Sequence, residues 1–303
     1  MPGPESSERP FVDRPVDDLE AAEQLAHRAA AEWGTGPVRL LRRSMNAVFA
    51  ADHVVIRVGR PTAPAVTALA LADHLVEVGL RVAAPVHREV MIEGDLAATA
   101  WERLMPSGAP VDWFGVGEMI ARLHGAGPEV APSGYPCPSP DTYPWWHFDE
   151  MLADVADLID DEARSVLAEV IERHRWWIGA LGDDPVVCHG DLQTDNVVQT
   201  ADGPVVVDWD LLCRAPAGWD HGPMMTWAER WGGRPGEYEA YAAGYGWSGR
   251  GDPFAEAVAE LRLVAATLMR VRAGRHDPSA RGEADRRLAH WRGDPDAPPW
   301  RPQ

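Results

Sequence analysis

The sequence contains no lysine, and its 28 basic side chains other than histidine are all arginines. A Walker A phosphate loop and Schiff-base catalysis both need a lysine amine, so these two kinds of chemistry are excluded. Cysteine is almost as scarce: Cys137, Cys188 and Cys213 lie far apart, without metal-ligand spacing and without the even count of a disulfide framework. We expect three ordinary buried thiols.

Long apolar runs and positive charge are also in short supply. The chain has no run of about 18 apolar residues, and its N-terminal segment MPGPESSERPFVDRP lacks the apolar stretch of a signal peptide. We therefore expect a cytoplasmic protein with no membrane partner. The 47 acidic residues give a formal net charge of −19, which repels nucleic acids and attracts cationic small molecules, although an acidic solvated surface alone also explains it.

The segment 189–210, HGDLQTDNVVQTADGPVVVDWD, carries most of the chemical information. Asp191 comes two residues after His189, Asn196 comes five residues after Asp191, and Asp208 ends an apolar run. Phosphoryl transfer from a nucleotide to a hydroxyl needs one carboxylate to orient and deprotonate the acceptor, and it needs an amide and a second carboxylate to hold Mg²⁺. The spacing of these residues therefore predicts a phosphotransferase site.

Local sequence signals place these polar residues around a hairpin. A short apolar run, 186–188, precedes the segment, and the turn signal at 201–203 lies between the apolar runs 197–198 and 205–207. This arrangement predicts a loop that leads into a hairpin, with the polar side chains facing one cleft. Any one of the carboxylates taken alone could equally be a turn or capping residue.

The same pattern, followed by Trp219 and Asp220 in GWDHGP, resembles the aminoglycoside phosphotransferase and choline kinase family, which shares the protein kinase fold. The resemblance covers roughly residues 35–275 and is strongest over 185–222. It implies an α+β bilobal fold with a small N-terminal lobe, built from an antiparallel sheet and a helix, and a larger, mainly helical C-terminal lobe. It also implies Mg²⁺, ATP or GTP as phosphate donor, and a small-molecule acceptor with a hydroxyl group.

The resemblance assigns roles to individual residues. In the family, the residue that matches Asp191 is the catalytic base, and the one that matches His189 shapes the catalytic loop. The residues that match Asn196 and Asp208 bind Mg²⁺. Asp210 either assists a metal ion or is a solvated residue at the strand end.

Two features depart from the family pattern on the nucleotide side. Arg57, in the strand HVVIRV, lies where the family commonly has a phosphate-binding lysine. Ala68 lies where the family has a glutamate that pairs with that lysine. Arginine keeps the positive charge and can grip two oxygens at once. Another group must therefore position Arg57.

Position in the fold also suggests the remaining nucleotide contacts. The turn from Ser44 through Asn46 to Ala47 would cover the phosphates with its backbone amides, and the same tetrapeptide taken alone is equally typical of a plain hairpin turn. The segment AWERL, which includes Glu102 and Leu104, would be the hinge that binds the purine base through main-chain groups. Main-chain recognition does not distinguish ATP from GTP.

The chain is long enough, at 303 residues, for the two lobes. We expect a disordered tail at 1–16, a small nucleotide-binding lobe at 17–104, and a large catalytic and substrate-binding lobe at 105–303. Sequence periodicity and capping signals predict helices at 17–33, 65–78, 112–124, 146–160, 162–181, 236–246, 253–273 and 278–291. They predict strands at 38–41, 47–51, 54–58, 82–92 and 95–104.

The acceptor pocket is expected in the large lobe, where Trp219 and Asp220 would either contact substrate or support the catalytic loop. The chain has 14 tryptophans, and we expect most of those in the large lobe to belong to its core. Aromatic faces close to Asp149, Glu150 and Glu229 would nevertheless suit a cationic ligand such as an aminated sugar.

The function predicted from the sequence is a Mg²⁺-dependent small-molecule phosphotransferase that confers resistance to an aminoglycoside-like or nucleoside-like antibiotic. The link to resistance comes from the family alone. Two alternatives stay open. One is a kinase-like binding protein without catalysis, and the other is a metal-dependent hydrolase with His189, Asp191, Asp208 and His221 as ligands.

Overall fold

The structure is a computed structural model, and it describes residues 16–61 and 64–301. The predicted tail at 1–16 therefore lies outside the described residues except for its last residue. Val16 is buried, and its backbone N–H donates to the carbonyl of Met45 at 3.2 Å. The limits of the two lobes, 17–104 and 105–303, stay predictions.

The small lobe is built on a five-stranded antiparallel sheet. Its strands are β1 (Arg39–Arg43), β2 (Ala47–Ala51), β3 (Val54–Gly59), β4 (Met91–Glu93) and β5 (Leu96–Glu102), and its two helices are α1 (Leu19–Trp33) and α2 (Ala65–Glu77). The strand order across the sheet is β1-β2-β3-β5-β4. Asp18 caps α1 by accepting from the N–H of Ala21 at 2.9 Å, and Gly34 ends it in the left-handed region.

Side chains alternate along β3 between the hydrophobic core on one face of the sheet and the cleft on the other. Val54, Ile56 and Val58 are buried in the core that packs against α1. Val55 and Arg57 lie between them in sequence and line the cleft on the opposite face, because successive side chains of a strand point to opposite faces. The hydrophobic pattern therefore places Arg57 in the cleft.

The large lobe is mainly helical. Its helices are α3 (Trp113–Gly125), α4 (Phe148–Asp154), α5 (Asp161–Arg173), α6 (Trp177–Ala180), α7 (Gly218–Met225), α8 (Trp227–Arg230), α9 (Glu237–Tyr245), α10 (Pro253–Ala273) and α11 (Pro278–Trp291). Its short strands are β6 (Val186–Cys188), β7 (Val197–Thr200), β8 (Gly203–Val206) and β9 (Cys213–Ala215). Strand β6 pairs with β9, and β7 pairs with β8, both antiparallel.

Most predicted elements are present, but several differ. The helix predicted at 146–160 extends only over Phe148–Asp154. The strand predicted at 82–92 is formed only from Met91 onward; before it, Val82 and Pro85 make isolated bridges, as expected where a proline cannot donate to a ladder. The helix predicted at 162–181 is interrupted after α5, where His174 contacts Glu260 of α10 at 2.6 Å. The sequence patterns also missed α7 and α8.

One hydrophobic cluster joins the two lobes. It combines Leu71 and Leu75 of α2 with residues of α3, α9 and the β7–β8 hairpin. The backbone N–H of Ser107 also donates to the carbonyl of Gln199 in β7 at 2.8 Å. The hairpin that carries the candidate site is thus fixed to both lobes. No described helix is both long and apolar enough to cross a membrane.

Candidate active site

Two antiparallel pairings bring the polar segment together. The β6–β9 pair sets Cys188 opposite Cys213, so the loop that follows β6 and the turn that precedes β9 lie side by side. The β7–β8 hairpin returns the chain to this place, and the backbone N–H of Val207 donates to the carbonyl of Asn196 at 2.9 Å. Asn196 therefore lies beside the strand end that carries Asp208.

Asp220 holds the backbone of the loop that follows β6. Its carboxylate is fully buried and accepts hydrogen bonds from the backbone N–H of His189 at 2.7 Å and of Gly190 at 3.0 Å, and it contacts Nε2 of His124 at 3.1 Å. Burial alone would raise the pKa of Asp220, but the hydrogen bond and charge of His124 outweigh burial and lower that pKa. Asp220 is thus an ionised support for the loop backbone.

His189 ties the loop to the strand end after β8. Its Nδ1 accepts from the backbone N–H of Asp191 at 3.2 Å, and its Nε2 donates to the carbonyl of Val207 at 3.0 Å. The ring is fully buried, and burial lowers the pKa of His189, so the ring stays neutral at physiological pH. Because both ring nitrogens are hydrogen-bonded to backbone groups, His189 stabilises the conformation of the loop.

Asp191 is surrounded by donors. Its Oδ2 accepts from Nε2 of Gln193 at 3.1 Å and from Nδ2 of Asn196 at 3.2 Å. Its Oδ1 pairs with the guanidinium of Arg262, which extends from α10. The side chain keeps 18% of its surface exposed, so the carboxylate is held and still accessible to a ligand.

The side chains around the strand end after β8 offer oxygen ligands to a cation. Nδ2 of Asn196 donates to the carbonyl of Asp191 at 2.8 Å, so the amide oxygen is the atom left for a ligand. Asp208 adopts the left-handed region at φ 66°, which is uncommon for a residue with a side chain. Partial burial and the neighbouring carboxylate of Asp210 raise the pKa of Asp208. Two adjacent carboxylates with an amide oxygen suit Mg²⁺.

Arg57 reaches this strand end from the other lobe. Its guanidinium pairs with Asp210, lies 4.0 Å from Asp208, and is contacted by the amide oxygen of Asn46 at 2.6 Å once that amide is oriented to satisfy both groups. Burial alone would lower the pKa of Arg57, but Asp210 and Asp208 outweigh burial and raise it. Asp210 and Asn46 therefore hold Arg57, while Ala68 only lines the cleft.

The cleft between the lobes encloses about 500 Å³. Its lining includes every residue predicted to contact nucleotide, namely Ser44, Asn46, Arg57, Glu102 and Leu104, together with Asp208 and Asp210. Apolar side chains of α2 and β5, including Leu71 and Trp101, complete the walls. A pocket of this size, with apolar walls and with Arg57, Asp208 and Asp210 together in its lining, suits a nucleotide whose phosphates lie beside these three side chains.

The residues predicted near the acceptor are mostly structural in their contacts. Trp219 is buried, its indole N–H donates to the carbonyl of Gly190 at 3.4 Å, and its ring packs 4.3 Å from that of Trp146. Asp149 pairs with Arg175 at the surface. Most large-lobe tryptophans are in the core, but Trp176 is 45% exposed.

The ligand set of the hydrolase alternative does not converge. His221 is buried among aromatic rings, with Nδ1 3.1 Å from the hydroxyl of Tyr238. Across residues 16–61 and 64–301, the metal-like grouping of acidic, histidine and cysteine side chains is His124, Cys188 and Asp220. In that group the Asp220 oxygens already accept hydrogen bonds from the loop backbone. The structure therefore supports neither the ligand set of the hydrolase alternative nor a metal site at this group.

The sequence patterns indicated neither Arg262 nor the partner of Arg57. Arg262 is a charged residue within the apolar stretch 261–265, on a helix whose neighbouring turns are buried. A lone charge on a buried face needs a partner, and this was the available signal. The role of Asp210 had no comparable signal, because its partner is 153 residues away in sequence.

The chain is similar in sequence to one protein family and in fold to several solved structures. Residues 46–258 match the model of the family described as phosphotransferase enzyme family. Spectinomycin phosphotransferase in complex with ADP and spectinomycin has 13% identity and a TM-score of 0.65, covering 88% of this chain and 93% of its own. A choline/ethanolamine kinase family protein from Mesorhizobium loti has 20% identity and a TM-score of 0.61, covering 92% and 95%.

A third solved structure, amicoumacin kinase in complex with AMP-PNP, Ca²⁺ and Ami, has 15% identity and a TM-score of 0.63, covering 94% of this chain and 98% of its own. No curated protein matches the sequence. At these identities the solved structures show a shared fold, and they confirm the predicted bilobal, kinase-like α+β architecture.

Proposed function

Because the chain belongs to the phosphotransferase enzyme family, we propose that it transfers the terminal phosphoryl group of ATP or GTP to a hydroxyl of a small molecule. The observation that carries this proposal is the meeting of Asp191, Asn196 and Asp208 around one hairpin, with Arg57 reaching the same place from the opposite lobe. This combination supplies a base, oxygen ligands and a phosphate-binding cation in one cleft.

In the proposed mechanism, Asp191 orients the acceptor hydroxyl and takes its proton as the new P–O bond forms. The bond between the terminal phosphorus and the bridging oxygen of the nucleotide breaks in the same step, and ADP or GDP leaves. Arg57 binds phosphate oxygens and holds the donor in line, because its planar guanidinium can contact two oxygens. Mg²⁺, when bound by Asp208 and Asn196, with Asp210 adjacent, would neutralise charge on the phosphates. His189 and Asp220 keep the loop backbone in place, so Asp191 needs no rearrangement before transfer.

The proposed donor site is the cleft itself. Ser44 and Asn46 would cover the phosphates, and the main chain from Glu102 to Leu104 would bind the purine base. The ADP of the spectinomycin phosphotransferase structure and the AMP-PNP of the amicoumacin kinase structure support a purine nucleotide donor.

For the acceptor, we propose an antibiotic or a related metabolite with several hydroxyls, phosphorylated in the cytoplasm with resistance as the result. Two proteins of similar fold are a spectinomycin phosphotransferase and an amicoumacin kinase, and the net charge of −19 favours a cationic acceptor. Aminoglycoside-like and nucleoside-like compounds are the first candidates.

The direct test is a screen of candidate acceptors with ATP or GTP and Mg²⁺, read by mass spectrometry for the gain of one phosphoryl group. A product that depends on acceptor, nucleotide and Mg²⁺ supports the proposal. A chain that binds nucleotide but neither transfers phosphate nor hydrolyses the nucleotide would instead be the binding protein without catalysis.

A further inference from the structure

Arg262 is a charged residue on the buried side of a long helix. It lies near the middle of α10, and residues one turn before and after it, Val258 and Ala265, are each 1% exposed. Only 19% of the Arg262 side chain is accessible. Burial lowers the pKa of Arg262 to about 10, which leaves it charged at neutral pH. A buried charge is tolerated where it has a partner.

That partner is Asp191. The guanidinium donates from Nη2 to Oδ1 of the carboxylate across 71 residues of sequence. The other oxygen, Oδ2, accepts from the neutral amides of Gln193 and Asn196, at 3.1 and 3.2 Å. The Arg262 contact joins two full charges, so it adds a Coulomb attraction that the neutral amides do not supply. The orientation of the Asp191 carboxylate therefore depends most on Arg262.

The other ionisable groups near the loop have different partners. His189 is neutral and bonded to backbone atoms. Asp220 supports the loop backbone, and Asp208 has Arg57 and Asp210 as its charged neighbours. Within the part of the chain that the structure describes, the salt bridge of Asp191 is the one with Arg262.

Two helices in contact hold the loop at two points. Helix α7 carries Asp220, which binds the loop backbone, and α10 carries Arg262, which binds the Asp191 side chain. The helices approach closely because Gly222 of α7 has no Cβ; a Cβ there would lie 2.7 Å from Cγ1 of Val258 and 2.9 Å from the backbone N of Ala259. The α7–α10 contact therefore fixes both the loop backbone just before Asp191 and the side chain of Asp191.

We propose that Arg262 is a positioning residue that holds the Asp191 carboxylate in the orientation in which it receives the acceptor hydroxyl. This inference rests on the proposed function and adds a residue to its machinery. Because Arg262 acts through Asp191, its loss should slow the chemical step without weakening the binding of either substrate.

The first test is steady-state kinetics of Arg262→Gln with each substrate varied. We expect kcat to fall by about 10- to 100-fold, since small misplacements of reacting groups have effects of this size. The KM of nucleotide and of acceptor should stay within a few fold. Arg262→Lys should recover part of kcat, because it keeps the charge but not the planar fork. Arg270→Gln, on the same helix and also half-buried, is the matched control and should behave as wild type.

A double-mutant cycle and chemical rescue separate positioning from general damage. In an Asp191→Asn background, Arg262→Gln should cost little more, because the charge that it holds is already absent. Ethylguanidinium added to Arg262→Ala should restore part of kcat, whereas added ethylammonium should restore less. Unchanged kcat in Arg262→Gln, or an equal loss in both backgrounds, would overturn the inference.

The free energy of unfolding provides a readout that does not need an acceptor. Arg262→Gln and Asp191→Asn should be non-additive in urea unfolding, because each leaves the other side chain unpaired. A wild-type chain that phosphorylates nothing contradicts the proposed function. In that case non-additive unfolding still supports the pair, and additive losses overturn it.

Discussion

Single carboxylates in this site differ through the groups that surround them. Asp220 is fully buried and takes two backbone N–H donors and a histidine, so it stabilises the loop. Asp191 keeps partial exposure and pairs with one cation, so its carboxylate is oriented and accessible to an acceptor, as a base requires. Asp208 is half-exposed beside a second carboxylate, which suits a cation ligand. The same residue type thus takes three roles because its environments differ.

Replacing the proposed base tests the role of Asp191 directly. Asp191→Asn keeps the size of the side chain but cannot accept a proton, so kcat should fall by about 10² to 10⁴, the usual contribution of general-base catalysis. Nucleotide affinity should barely change. Asp195→Asn, exposed on the same loop, should have no such effect. Wild-type turnover in Asp191→Asn would show that another group is the base.

The loss of Arg57 should fall on nucleotide handling. Arg57→Ala should raise the KM of nucleotide and lower kcat, because the guanidinium, which Asp210 and Asn46 hold in the cleft, is the proposed phosphate-binding group. Arg57→Lys should recover only part of the activity, since a point charge replaces a two-pronged contact.

Steady-state kinetics with each substrate varied measure these effects, and the KM of acceptor should stay within a few fold. Arg39→Ala, exposed on the edge strand, is the control. Unchanged nucleotide parameters in Arg57→Ala would mean that a different group binds the phosphates.

At the scale of elements, the tight turn that follows β6 is hydrogen-bonded to Asp220 of helix α7. Gly190 has φ 88°, and a Cβ there would collide with the backbone carbonyl of Leu211. The same turn brings two consecutive N–H groups onto Asp220. Glycine is required here both for its backbone conformation and for the close approach of the segment before β9.

Gly190→Ala should therefore destabilise the chain by two separable amounts. The left-handed backbone alone costs roughly 1 to 2 kcal/mol for a residue with a Cβ, and the collision adds about 1 to 3 kcal/mol. Gly251→Ala isolates the first amount, because Gly251 has φ 81° and open space around it. Urea unfolding measures both variants, and equal losses would show that the loop moves freely away from Leu211.

The sequence predicted elements well where one periodicity dominated. Helices α1 and α10 have capping aspartates, and β2 and β3 have clear apolar patterns, so their limits agree to within two residues. Helix α7 was missed because it contains Pro223 and two glycines and is buried on all sides, which removes the contrast between faces that periodicity detects.

The candidate site contains residues that are close in sequence, which could be predicted, and pairs that are far apart in sequence, which could not. The residues from His189 to Asp208 lie within one short segment, so their spacing and the family resemblance were enough to predict that they share a site. The pairs of Arg57 with Asp210 and of Arg262 with Asp191 join distant segments. Such pairs follow from how the lobes and helices pack, and a single sequence does not contain that packing.

At the scale of the whole molecule, the cleft that we propose as the nucleotide site lies between the two lobes. Arg57 comes from the sheet of the small lobe, and Asp208 and Asp210 come from the hairpin of the large one. The hydrophobic cluster shared by α2, α3 and the hairpin holds these parts in contact. A ligand that binds both sides should therefore stabilise the folded chain as a unit.

Asp208→Ala should remove the part of this stabilisation that depends on Mg²⁺. For the wild type, Mg²⁺-nucleotide at 100 times its Kd should add about 2.7 kcal/mol to the free energy of unfolding. Asp208→Ala should abolish phosphoryl transfer and lose most of this gain, because the strand-end carboxylate is the proposed cation ligand. Asn196→Ala should show the same losses more mildly, and Asp202→Ala, exposed in the same hairpin, should show neither. Thermal unfolding with nucleotide alone and with Mg²⁺-nucleotide measures the difference. If Asp208→Ala keeps both turnover and the Mg²⁺-dependent gain, the cation is held elsewhere and the proposed ligand set is wrong.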